Sequence, residues 1–197
     1  MVQVSLSWAN HLFSALRAES KGSFKPPTEK ESFGAPIFLN TNGAVQLGSG
    51  NAVAGGVVRD ANEDWIFGYN RHLRKCYIFN AELWEILEGL RLIQQRVHDE
   101  VIIQSDTMEV VKAILDSTSS EANSMLSRRI QSILFQEKRW FWRYIPRDQN
   151  QVADCLAKQA LIGTENLQVF DTPHLMTCSF IDLDKNLNVY LFQNITL

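Results

Sequence analysis

Apolar residues at Leu83, Ile86, Leu87, Leu90, Ile93 and Val97 recur at intervals of three and four. That spacing lays them along one face of an α-helix and predicts a helix over residues 80–97. His98-Asp99-Glu100 ends the periodic run, and Val101-Ile102-Ile103 follows, a β-branched run typical of a buried strand. Upstream the period falls to two. Pro36 to Asn42 alternates, with Ile37, Leu39 and Thr41 on one side and Phe38, Asn40 and Asn42 on the other, as a strand does. Ala52 to Arg59 reads as a second strand whose small residues allow close backbone approach. Asp64 to Arg71 reads as a third. Gly43, Gly48 and Gly50 mark a turn between the first two, and Asp60-Ala61-Asn62-Glu63 a hairpin turn between the last two.

Downstream, helices are expected over 108–115 and 123–136, with a polar loop at 116–120 between them. Arg139 to Ile145 alternates as a fifth strand, carrying Trp140, Trp142 and Tyr144 on one side, and Pro146 closes it. Asn150 is suited to cap a last helix reaching Leu161, and Gly163 to stop it. Leu187 to Phe192 reads as a strand with no site attached to it. Near the N-terminus, Trp8, Leu12, Phe13 and Leu16 outline one weak helix, followed by a polar linker containing Lys25-Pro26-Pro27. Three meandering strands and then alternating helices and strands predict an α/β fold: a mixed five-stranded sheet with helices on both faces. The chain divides into an N-terminal extension and linker (1–35), one domain (36–162) and a C-terminal extension (163–197).

Composition narrows the class. At 197 residues, 45% hydrophobic and 21% charged, the chain is an ordinary globular protein of one domain plus tails. No apolar run approaches the roughly 20 residues that span a bilayer, and the first residues lack the basic and apolar regions of a secretory signal. Three cysteines, an odd number without metal-ligand spacing, fit a reducing compartment. A monomer inside the cell, nuclear or cytoplasmic and not secreted, is the expectation. A net charge of −3 excludes general attraction to nucleic acid. Between Met125 and Ala160, however, seven basic residues stand against three acidic ones. Such a stripe suits phosphate contact or a plain solvated face.

The candidate chemistry lies in three acids at element ends. Glu82 opens a helix, Asp106 follows a strand, and Asp154 sits early in the last helix. Each has an ordinary reading as a dipole partner, a cap, or an i,i+4 mate of Lys158. Gathered by one sheet, they form a hard-oxygen set suited to Mg²⁺ or Mn²⁺.

Five stretches carry a resemblance: Leu39-Asn40-Thr41-Asn42-Gly43-Ala44, Gly55-Gly56-Val57-Val58-Arg59-Asp60, Ala81-Glu82-Leu83, Gln104-Ser105-Asp106, and Ile145-Pro146-Arg147 with Asn150-Gln151-Val152-Ala153-Asp154. In this order they resemble a type 1 ribonuclease H domain of the plant retroelement-derived branch, over residues 36–162. The resemblance implies a nuclease that cuts the RNA strand of an RNA–DNA hybrid, with four carboxylates holding two divalent ions about 4 Å apart. It places that role on Glu82, Asp106 and Asp154, and nucleic-acid contact on Gly43, Asn80, Arg147 and Asn150. It also exposes two departures. The family's first carboxylate is here the amide Asn42, so three negative charges rather than four would face two divalent ions. Tyr144 stands where many relatives carry a histidine, and a phenol with a pKa near 10 is a poor proton carrier at neutral pH. The expectation is an attenuated hybrid nuclease. The alternatives are a binding-only relative for hybrid or RNA, and an interaction remnant docking through Trp140, Trp142 and the C-terminal segment.

Overall fold

A computed structural model describes residues 34–96, 98, 100–115, 124–137, 139–163 and 166–193, the stretch 186–193 for its backbone alone. The helix expected in residues 1–18, most of the linker and the loop 116–120 lie outside the described residues.

Three strands come first: β1 (Ile37–Val45), β2 (Asn51–Arg59) and β3 (Trp65–Lys75). Helix α1 (Ile78–Gln94), strand β4 (Val101–Ser105) and helices α2 (Met108–Leu115) and α3 (Met125–Gln136) follow. Strand β5 (Trp140–Tyr144) and a 3₁₀ turn (Arg147–Gln149) lead into α4 (Gln151–Gln159). A short β6 (Gln168–Phe170) and a long α5 (Leu175–Gln193) end the described chain. The sheet order is β5-β4-β1-β2-β3-β6. The meander β1–β2–β3 is antiparallel, β4 and β5 run parallel to β1, and β6 pairs antiparallel with β3.

The expected α/β architecture stands, with four corrections. The sheet has six strands, because Gln168–Phe170 adds to the free edge of β3. The segment 187–192 is helical, the end of α5. Its β-branched and aromatic residues favour a strand only locally. The preceding turns of α5 are fixed elsewhere: Phe180 and Ile181 pack on Val57, Val152 and Leu156. Strand β1 runs on through Gly43 to Val45, so Gly43 lies within a strand rather than in a turn. Helix α1 starts at Ile78, which moves Glu82 from the first helical turn into the second.

Helices cover both faces. On one, Leu39, Val58, Phe67 and Tyr69 of the sheet pack against Leu83, Ile86, Leu87, Leu90 and Ile93 of α1, within a cluster that continues into α2 and α3. Trp140 and Trp142 join this cluster at 8% exposure each. They are core, which withdraws both side chains from the docking surface expected of them. On the other face α4 lies on β2, with Val57 against Val152 and Leu156, and Val53 against Ala157 and Ala160.

Two backbone approaches set the acid-bearing helices on the sheet. A Cβ on Gly55 would lie 2.3 Å from the Ala157 backbone nitrogen, so α4 rests directly on β2. A Cβ on Gly43 would lie 2.7 Å from the Glu82 nitrogen, so the start of α1 rests on β1. Either contact admits only glycine without moving a helix. No helix among the described residues is long and apolar enough to cross a membrane.

Candidate active site at the ends of strands β1 and β4

The parallel register of β1 and β4 pairs Asn40 with Gln104. Two residues further on, Asn42 and Asp106 therefore reach the same end of adjacent strands. Strand ends of this kind are where α/β folds place their chemistry.

Asn42 is 7% exposed and turned toward α4. Its Nδ2 donates to Asp154 Oδ1 at 3.2 Å. Lys158, one turn along α4, donates to Asp154 Oδ2 at 2.5 Å. Asn150 sits at the N-cap of α4, but its side chain caps nothing. It donates instead to the Thr41 carbonyl at 2.7 Å and to Asp106 Oδ1 at 3.3 Å, tying the 3₁₀ turn to β1 and to the end of β4. Glu82 reaches the site from α1, its Oε1 accepting from the Thr107 hydroxyl at 2.9 Å.

The carboxyl of Glu82 is pushed up to about 7. Burial is the largest cause; the Thr107 hydroxyl opposes it, the Asp106 and Glu109 charges add to it, and Arg147 opposes it. Glu82 therefore feels both Asp106 and the exposed Arg147. Tyr144 pairs with Ser105 in the β4–β5 register, one residue short of Asp106. Asn80 lies half-buried in the first turn of α1. Arg128 and Arg129 lie on α3, Arg143 on β5, Arg147 in the 3₁₀ turn and Lys158 on α4, and Arg139 and Lys158 are held by Glu100 and Asp154.

One carboxylate escaped the sequence reading. Glu85, one turn beyond Glu82 on α1, is 1% exposed, and its Oε2 has no partner. Burial, and next the neighbouring Glu82, hold its pKa well above the ordinary value. The signal for it was a second acid on a helix that the pattern marks as buried.

The three acids thus converge on one end of the sheet. Among the described residues, however, no three His, Cys, Asp or Glu side chains come together as a metal-gripping group. Both oxygens of Asp154 already accept from internal donors. The Asn42 nitrogen that faces it cannot bind a cation. The donor set does not fit a pair of divalent ions, and no step is assigned to them.

The raised pKa of Glu82 has a measurable consequence. The folded chain holds this proton more tightly than the unfolded chain, whose glutamate titrates near 4.5. Stability from this group is therefore fully present below pH 4.5 and is lost as pH rises toward about 7. The wild type is expected to melt at a higher temperature at pH 6 than at pH 8. Glu82→Gln should flatten that slope, and an unchanged slope would mean that the Glu82 carboxyl is not buried as described.

The chain matches a family model described as reverse transcriptase-like over residues 40–160. It is 31% identical over 139 residues to an Arabidopsis thaliana protein whose name assigns it provisionally to ribonuclease H. That match takes in 68% of this chain but 22% of the Arabidopsis protein, so the chain spans about a fifth of its relative's length. Among solved structures, the RNase H1 of the halophilic archaeon Halobacterium salinarum superposes with a TM-score of 0.59 at 20% identity, covering 64% of this chain and 98% of that one. The N-terminal RNase H domain of a Mycobacterium tuberculosis protein gives 0.59 at 20% identity, covering 66% and 95%. The LC11 RNase H1, crystallised with an RNA/DNA hybrid, gives 0.57 at 20% identity, covering 64% and 96%. At such identities these likenesses speak for the fold.

Proposed function

The chain belongs to the reverse transcriptase-like family, which shares the ribonuclease H fold, and from that premise we propose that it binds RNA–DNA hybrid and cleaves it feebly at most. The observation that carries this reading is the hydrogen bond from Asn42 to Asp154. Where a hybrid nuclease of this fold needs an anionic oxygen, this chain presents an N–H donor, and that donor occupies one oxygen of the neighbouring acid. Asp154 is satisfied internally instead of being left hungry for a cation. Binding does not depend on that missing charge. Strands of a hybrid are distinguished by backbone shape and by the ribose 2′-OH, for which Gly43 and Asn80 supply backbone and amide groups; Asn150, buried with its Nδ2 spent on Thr41 and Asp106, holds the site instead of touching nucleic acid. Arg147, exposed beside Glu82, supplies a cation for phosphate. The C-terminal segment packs on α4 as part of this domain, which leaves less reason to read the chain as a protein-docking remnant.

The test is fluorescence anisotropy with a labelled RNA–DNA hybrid, alongside duplex DNA of the same sequence. The hybrid is expected to bind more tightly. Its affinity should weaken as salt rises, and Arg147→Ala should shallow that salt slope by about one phosphate contact. Cleavage in Mg²⁺ or Mn²⁺ should stay close to background. A chain that binds no hybrid at low salt does not have this function.

A further inference from the structure

Helix α4 begins without help from its own N-cap residue. The first backbone N–H groups of a helix have no intrahelical acceptor, and an asparagine at the N-cap is among the best residues to supply one. Asn150 occupies that position and declines the role: its Oδ1 is buried with no partner, while its Nδ2 is committed to Thr41 and Asp106. The acceptor comes from 34 residues further along the chain. Asp184 of α5, 0% exposed, takes the Gln151 N–H on Oδ1 at 3.3 Å and the Val152 N–H on Oδ2 at 3.2 Å. Arg59 of β2, itself 1% exposed, holds the same carboxylate at 2.9 Å. Arg59 is further fixed by Glu63 at 3.0 Å.

We propose that Asp184 is a positioning residue for the candidate site: by capping α4 in Asn150's stead, it keeps the Asn150 side chain free to bind Asp106 to strand β1. The idle Oδ1 of Asn150 is what gives the arrangement two states. With Asp184 in place, the cap is filled and Asn150 faces the site. Without it, the orphaned N–H groups draw the Asn150 oxygen toward its own helix, and rotation of that side chain breaks both bonds made by Nδ2. The C-terminal extension, which sequence alone leaves without a role, thereby becomes part of the machinery that aligns Asp106 with α4. Its relevance to hybrid binding rests on the function proposed above; its effect on Asn150 does not.

The experiment uses the full chain labelled with ¹⁵N. Arg59→Met with Asp184→Leu removes both buried charges and fills the space, a replacement that buried ion pairs generally tolerate. The Asn150 side-chain amide is expected to exchange with solvent at least about tenfold faster in the double variant, as are the Gln151 and Val152 backbone amides freed of their acceptor. Hybrid affinity should fall in step. Lys185→Ala loosens the same helix by removing its 2.7 Å bridge to Asp64, and should leave Asn150 unchanged. If the double variant does not fold, Asp184→Asn is read in the same way; its single amide oxygen should retain one cap and give an intermediate exchange rate. A folded variant in which Asn150 stays protected overturns the inference, whatever its loss of stability. If Asn150 responds while even the wild type ignores hybrid, the positioning role stands and the proposed function falls.

Discussion

Asn42→Asp is expected to raise cleavage of an RNA–DNA hybrid in Mg²⁺ by at least about 10²-fold, the effect of one well-placed electrostatic group in an active site. The substitution changes one NH₂ for one oxygen in a strand that register and packing already fix. Asn42 is held opposite Gly55 on one side, and β4 is aligned on the other. The new carboxylate therefore appears where the amide was, at the end of β1, facing Asp154. Two consequences separate this outcome from a general loosening. The donor to Asp154 Oδ1 is lost, leaving two like charges side by side, so the variant should melt below the wild type in metal-free buffer. Added Mg²⁺ should then stabilise the variant more than the wild type, because a ligand that binds only the folded state raises its stability. Tyr144→His in the same chain should add a further increase at neutral pH, since an imidazole exchanges protons there and a phenol does not. Hybrid affinity should change little. If neither the single nor the double variant cleaves above wild type, the resemblance has assigned the wrong residue to the first position.

The parts of this fold that were legible in sequence are those whose signal is local. Alternation marked β1, a run of small and β-branched residues marked β2, and the three-four spacing from Leu83 onward marked α1. The acids and their grouping were found from the element ends, and from the resemblance came their role and the significance of Asn42. What escaped was decided by partners distant in sequence. Strand β6 has three residues, too few for an alternation to show, and exists because β3 offers an open edge. The end of α5 reads as a strand in isolation, yet the turns before it are anchored through Phe180, Ile181 and Asp184. Asn150 looked like a cap because asparagine before a helix usually is one. Its diversion could not be foreseen without knowing that Asp184 arrives from another element. Glu85 was hidden by the same periodic rule that found α1, which sorts residues by face and not by how completely the helix is enclosed.

Gly55→Ala is expected to cost roughly 3 kcal/mol of folding stability, the upper part of the range for overpacking a filled interior, because the methyl meets backbone rather than a side chain that could turn away. Its carbon would stand 2.3 Å from the Ala157 nitrogen and 2.6 Å from the Ala157 Cα. Relief requires α4 to lift from β2, which opens the contacts of Val57 with Val152 and Leu156 and of Val53 with Ala157. Lifting α4 also carries Asp154 away from Asn42, so the 3.2 Å bond between them should break, and the site should loosen together with the core. Gly163→Ala is the matched control. Its added carbon would come no closer than 3.6 Å to the flexible end of Gln168 and 3.9 Å to the Ala160 carbonyl oxygen, ordinary contact distances, and the change should be neutral or slightly stabilising through the unfolded chain. Urea unfolding of both variants, with hybrid binding measured on each, gives the comparison. A Gly55→Ala protein within about 0.5 kcal/mol of wild type would mean that α4 does not lie on β2, and Asp154 would then have no fixed place beside β1.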